Sequence, residues 1–305
     1  MRILVTGASG FLGRSLLSLK GEGEAEWIGC GRGSSVSLDG IEYHQVDLES
    51  RASVLQLLET LKPDWVINTA ALTNVDQCEV DRRQARRANL EIVEHLVEGC
   101  RRTGTGLVQI STDYVFDGTE GPYSEEDPPR PLSYYGQLKL ESEKRVLESG
   151  CRGIVVRTLW LYGYVPEARP NFVTRSLEGL YRGERLRIFD DQWGNPTYVH
   201  DLARTLFALC RRGSRGLFHM GGATFMTRYE LVLELSRFFG LDTRRIEPIS
   251  TQSAGLKAMR PLRSGLRTQA IEAELGRKPL SFIEGLEQMV KDDHFRRDFP
   301  HLLQV

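Results

Sequence analysis

The run RILVT (2–6) leads directly into TGASGFLG, with glycines at 7, 10 and 13, and a helically spaced stretch, FLGRSLLSL (11–19), follows at once. A strand, a glycine turn and a helix in that order leave few ways to pack. Gly7 lets the chain turn sharply, Gly10 lets the backbone approach a pyrophosphate, and Gly13 lets the helix lie close to the sheet. The start of that helix adds free N–H groups and partial positive charge for phosphates. A glycine-rich turn without a ligand is the bland alternative; placement at the first strand-to-helix turn favours a dinucleotide.

The rest of the chain follows this frame. Apolar runs at 25–30, 43–46, 64–71, 106–112 and 153–163 alternate with amphipathic stretches at 51–61 and 81–104, the latter read as one long helix stopped by a glycine. Runs apolar on both faces imply a parallel sheet covered by helices. The expected fold class is α/β, a doubly wound parallel sheet of Rossmann type. Beyond residue 157 the pattern softens into helix 171–184, strand 186–189, helix 200–212 and a mostly helical tail. We expect an NADP-binding domain over 1–156, a smaller and mostly helical substrate-binding domain over 157–305, and a segment, 187–219, that returns to the first domain's sheet.

Composition excludes several classes. The 305 residues are 40% hydrophobic and 27% charged, with a formal net charge of -1, which suits a soluble globular protein and not a nucleic-acid binder. Arginines 82, 83, 86 and 87 cluster locally and read as a solvated helix face. Five cysteines (30, 78, 100, 151, 210) and six histidines lack ligand spacing, so reduced thiols, a cytoplasmic location and no metal are expected. The N-terminus lacks a signal-peptide pattern, and no stretch approaches the roughly 20 apolar residues of a membrane span.

The stretch SYYGQLKLES (133–142) follows prolines at 128, 129 and 131, so a helix should begin near Ser133, which can cap it. On that helix Tyr135 and Lys139 are four residues apart, about 40° around the axis, and share a face; Tyr134 looks elsewhere. An ammonium beside a phenol favours phenolate and should lower its pKa, making a proton donor for a carbonyl oxygen that gains a hydride. The run VQISTDYVFDG adds Ser111 and Thr112 at a strand end, where doubly wound folds bind ligands. The second strand ends in GCGRGSS with no acid for a ribose 2′-hydroxyl; Arg32, Ser34 and Ser35 suit a 2′-phosphate, so NADPH is expected, with NADH as the alternative.

The spacing G-x-x-G-x-x-G resembles the extended short-chain dehydrogenase/reductase superfamily. That resemblance implies cofactor contacts at Gly7, Gly10, Phe11, Leu12 and Gly13, at Asp47 and Leu48 of VDL, and at Ala70 and Ala71 of NTAA. It also implies Thr112, Tyr135 and Lys139 as the catalytic set, with Tyr135 and Lys139 also touching the cofactor. Asn89 is a candidate supporting residue, against an ordinary exposed helix position. The strings STDYVFDG, RTLWLYG, DDQWGNPT and AMRPLRSGL, in this order, resemble the dTDP-4-dehydrorhamnose reductase family. The likeness implies reduction of the C4 ketone of a dTDP-linked 6-deoxy-4-keto sugar and substrate contacts at Thr73, Asp113, Tyr114 and Trp160. Arg260, with Arg263, is a candidate diphosphate partner. Dehydratases of the superfamily carry a glutamate where Tyr114 stands. The regulatory β subunit of methionine adenosyltransferase resembles the same family and offers a binding module as the rival reading. The expected partner is a nucleotide-sugar substrate, with no nucleic acid and no membrane; a homodimer stays open.

Overall fold

The computed structural model describes residues 1–33 and 40–303. Ser34 and Ser35, expected beside a 2′-phosphate, lie outside the described residues. Seven parallel strands form one sheet in the spatial order Gly216–Met220, Gly153–Thr158, Gly106–Thr112, Trp65–Asn68, Arg2–Thr6, Glu26–Gly31, Glu42–Gln45. The first strand lies between the second and the fourth, so the winding reverses beside it. In an open α/β sheet that reversal opens a crevice at the carboxyl ends of the strands. The strands near the middle of the sheet are buried along almost their whole length, as a sheet covered on both faces requires.

Each face has its own core. On one side Leu12, Leu16 and Leu17 of the helix Phe11–Leu17 meet Val199, Leu202 and Leu206 of Val199–Arg212 against Ile3 and Val5. On the other, Leu58 from Arg51–Leu61 and Leu96 from Ile92–Thr103 close over Leu4, Ile28 and Val66. A third core, built on Leu177, Leu231, Phe282 and Phe295, belongs to the C-terminal region. Short strand pairs frame it: Leu186–Phe189 with Ile246–Ile249, Trp193–Gly194 with Met226–Thr227, and Leu161–Tyr162 with Thr197–Tyr198.

The segment 187–219 divides between these bodies. Residues 187–189 pair with 247–249, whereas the helix Val199–Arg212 and the strand Gly216–Met220 join the large sheet. The helix Gln269–Leu275 also comes back, burying Ile271 in the sheet's core.

The stretch read as one helix over 81–104 is broken. Helices Val75–Val80 and Arg82–Arg86 precede a π-helical turn, Arg87–Glu91, before Ile92–Thr103 ends at Gly104 in the left-handed conformation. The wide turn accompanies the inward placement of Asn89. Its amide accepts from the Leu72 N–H at 3.0 Å and donates to the Leu72 carbonyl at 3.1 Å. Asn89 is buried, so the exposed-residue reading is corrected. Two backbone hydrogen bonds repay its desolvation and hold the loop after the fourth strand.

Candidate functional site

A groove of about 560 Å³ opens at the switch in winding. Gly7, Gly10, Phe11, Arg32, Asp47, Leu48, Ala70, Ala71 and Thr73 all line it. Leu12 instead turns into the core, and Gly13 packs behind the loop. Gly7 has φ +62, and a Cβ there would sit 2.8 Å from the Ala70 nitrogen. A Cβ on Gly13 would lie 2.4 Å from the Gly7 carbonyl oxygen. Larger residues would force the turn open, so this loop has to be glycine to stay closed against its neighbours. Volume, backbone-lined wall and arginine at one end fit a dinucleotide. Sequence reasoning missed Ser9, Thr69, Gln84 and Arg169 in the lining. Position at a strand's carboxyl end could have found Thr69; nothing local marks the others.

Ser133 caps the helix Tyr134–Leu147, its hydroxyl accepting from Gly136 N–H at 3.2 Å. That start fixes the phase: Tyr135 and Lys139 are both buried, while Tyr134 is half-buried beneath the Arg82 guanidinium, 4.9 Å from its ring centre. Tyr135 shares an apolar cluster with Leu72, Cys78 and Leu90, which joins it to the groove wall. Lys139 donates to the Ile110 carbonyl. Burial lowers its pKa to about 8, and the Glu143 carboxylate opposes that fall.

The phenol departs from expectation. Burial first, then the Asp113 charge, pushes the Tyr135 pKa up; the Thr112 hydroxyl, able to donate to a phenolate, pulls the other way. The expected lowering by Lys139 is therefore corrected: desolvation dominates, and the ammonium is engaged by a backbone carbonyl. Burial thus holds the Tyr135 phenol in its neutral form at physiological pH.

Thr112 ends its strand and bonds forward, donating to Asp113 Oδ1 at 3.1 Å and accepting from Tyr114 N–H at 3.2 Å. Asp113 is buried, accepts from the Ser264 hydroxyl at 2.6 Å, and is pushed up to about 6 by burial. The Tyr114 ring stands edge-on to Tyr135 with centroids 6.1 Å apart. Trp160 holds φ +43, a backbone region disfavoured for a side chain of its bulk, under the Arg228 guanidinium at 4.2 Å. Strain of this kind collects at functional sites. Arg228, which donates to Gln192 Oε1 at 2.9 Å and lies close enough to Tyr114 and Asp113 to feel their charge, joins these residues and was missed in the sequence, where no motif flags it.

Arg260 is already engaged. It pairs with Asp76 Oδ2 at 2.8 Å, while Asp76 Oδ1 accepts from Ala258 N–H at 2.8 Å, latching the C-terminal region to the helix Val75–Val80. Arg263 donates to the Gly121 carbonyl at 3.0 Å, its guanidinium 5.1 Å from both the Trp193 and Phe225 rings. Arg260 thus stands at the edge of the Tyr114 cluster as half of an ion pair, and Arg263 lies in a separate aromatic clamp.

The chain is similar to known proteins over most of its length. Residues 1–295 match the family model described as RmlD substrate binding domain. A dTDP-4-dehydrorhamnose reductase of Streptomyces griseus is 36% identical over 267 residues, covering 85% of this chain and 83% of that protein. The methionine adenosyltransferase 2 subunit beta of Mus musculus is 32% identical over 277 residues, covering 89% and 81%. Among solved structures, dTDP-4-dehydrorhamnose reductase of Bacillus anthracis in complex with NADP superposes with a TM-score of 0.83 at 28% identity, covering 95% of this chain and 98% of that one.

Proposed function

Since the chain belongs to the RmlD substrate binding domain family, we propose that it is an NADPH-dependent reductase of nucleotide sugars. The reaction is reduction of the C4 ketone of a dTDP-linked 4-keto-6-deoxy sugar, dTDP-4-dehydrorhamnose to dTDP-rhamnose. The observation that carries the reading is a buried, neutral phenol, Tyr135, next to the Thr112 hydroxyl at a strand end.

Gly7, Gly10, Phe11, Asp47, Leu48, Ala70 and Ala71 would hold the dinucleotide, with Gly13 and Leu12 bracing the turn from behind. Arg32 would meet the 2′-phosphate; NADH is the alternative. When bound, the cofactor supplies a hydride to the sugar's C4. Tyr135 gives its proton to the ketone oxygen, a transfer downhill because an alkoxide is a far stronger base than a phenolate. Thr112 orients that oxygen toward the phenol. Lys139, with a pKa of about 8, carries the positive charge at neutral pH that offsets the phenolate left behind, and it is the residue to hold the nicotinamide ribose. Thr73, Asp113, Tyr114 and Trp160 would contact the sugar, with the Arg260–Asp76 pair bounding that side. Tyr114, close to the Arg228 guanidinium, stands where elimination would need a carboxyl, which favours reduction over dehydration. Five cysteines, none in a disulfide, fit a reducing cytoplasmic setting.

Similarity to the methionine adenosyltransferase β subunit favours a second reading, a dinucleotide-binding regulatory subunit. NADPH absorbance followed against a panel of 4-keto-6-deoxy nucleotide sugars separates the two. The reductase reading expects rapid oxidation with the dTDP sugar. NADPH binding with no turnover on any ketosugar would favour the regulatory subunit.

A further inference from the structure

The loop between Leu161–Tyr162 and the helix Phe172–Tyr181 runs past the glycine turn and is fastened there. Val165 is buried in the core that also receives the first helix. His200 donates from Nε2 to the Tyr164 carbonyl at 2.9 Å and accepts the Ser15 hydroxyl at Nδ1, also at 2.9 Å. Arg14 pairs with Glu167 at 3.0 Å and reaches the Ser9 carbonyl at 3.3 Å. Glu167 sits at φ +59, a left-handed backbone that glycine would occupy more readily. Asn171 closes the loop, donating to the Gly163 carbonyl at 2.7 Å.

Arg169 is the residue this fastening presents. It precedes Pro170, which biases its backbone toward an extended form. It lines the groove together with Ser9, Gly10 and Phe11. Its guanidinium forms no ion pair or hydrogen bond among the described residues. Arg14, the other cation at this end, is occupied by Glu167. Among the described residues Arg32 and Arg169 are the basic side chains of the groove lining. Arg32 follows Gly31, whose carbonyl accepts from the Val46 N–H at 2.9 Å beside Asp47; Arg169 borders Phe11 of the glycine turn in an adjoining cavity as well.

We propose that Arg169 is a diphosphate-binding residue, reaching over the groove from the C-terminal region to meet the dinucleotide's bridging phosphates opposite the glycine turn. The proposal rests on the dinucleotide reading above. The glycine turn offers neutral backbone donors; a planar guanidinium adds the charge and paired geometry that phosphate oxygens favour. The loop's attachment to the first helix holds the Arg169 backbone near the turn, limiting the ordering cost on binding to that of the side chain. Because the diphosphate is common to both nicotinamide cofactors, Arg169 serves NADPH and NADH alike, whereas Arg32 would distinguish them.

The test is calorimetric titration of NADPH and of NADH into the wild type and into Arg169→Gln, Arg169→Lys and Arg32→Gln. Arg169→Gln should weaken both cofactors by about tenfold, leaving their affinity ratio unchanged. Arg169→Lys, keeping the charge, should recover part of the loss, and Arg32→Gln should weaken NADPH alone. Unchanged affinities in Arg169→Gln, with the wild type binding normally, would overturn the proposal and leave the dinucleotide reading standing. Weakening of NADPH alone in that variant would also overturn it, since the contact would then be to the 2′-phosphate. A wild type that binds neither cofactor would remove both readings together.

Discussion

Tyr135→Phe should cut turnover by roughly 10²- to 10⁴-fold while leaving NADPH affinity within about twofold, because the change removes the proposed acid's hydroxyl and keeps its ring. The phenyl ring stays packed against Leu72, Cys78 and Leu90 and edge-on to Tyr114, so the fold has no reason to move. Tyr134→Phe is the control. Its ring faces Arg82, and the Glu79 carboxylate bonds its backbone N–H at 2.6 Å. That variant should turn over like the wild type. The pH profile gives a second readout. Lys139 loses its charge as pH rises through about 8, so kcat/KM should fall on the alkaline side there, with the phenol still protonated. A crippled Tyr134→Phe beside an active Tyr135→Phe would reverse the assignment.

The largest loss of stability should follow Arg157→Ala. Arg157 and Glu143 form a two-pronged pair, Nε to Oε1 at 2.9 Å and Nη2 to Oε2 at 2.7 Å, and both side chains are buried. Ser111 donates to the same carboxylate. Arg157 also bonds His219 Nε2 at 3.2 Å and lies 5.0 Å from the Phe116 ring centre. His219 stays neutral, its pKa lowered to about 3 by burial and by the nearby guanidinium, and its Nδ1–H meets the Tyr123 carbonyl at 3.1 Å. The network ties the strand ending in Thr112 to the helix that carries Lys139. Removing the arginine alone strands a buried carboxylate, at a cost of about 3–5 kcal/mol. The melting temperature should drop by roughly 10 °C. Glu143→Gln with Arg157→Met removes both charges of the pair and should recover much of that loss, less the carboxylate's support of the Lys139 ammonium. A single variant that melts with the wild type would mean water or a neighbour satisfies the carboxylate.

Local rules were enough to read part of this molecule. The glycine spacing, the prolines before Ser133 and the four-residue separation of Tyr135 and Lys139 each act within one or two turns of chain. The groove, the capped helix and the shared burial of that pair follow from them. What sequence could not supply is set by contacts distant along the chain. Asn89 is buried against the Leu72 backbone, which it bonds at both N–H and carbonyl, and the π-helical turn accompanies that placement. Arg260 is paired because Asp76 lies 184 residues away in sequence and close in space. The phenol's pKa rises because burial, which no spacing rule encodes, outweighs the expected cation. Arg228 reaches Tyr114 and Trp160 only after the C-terminal region folds back.

The most direct test of the account follows a single deuterium. With NADPH labelled on the transferable face of the nicotinamide and a stoichiometric amount of dTDP-4-keto-6-deoxy sugar, mass spectrometry of the sugar reports whether the chain performs the reduction. The account predicts one deuterium at C4 of the product, and almost none in the same interval with Tyr135→Phe. A wild-type chain that binds the labelled cofactor tightly and leaves the deuterium on it would contradict the reductase and place this protein with the regulatory subunits it also resembles.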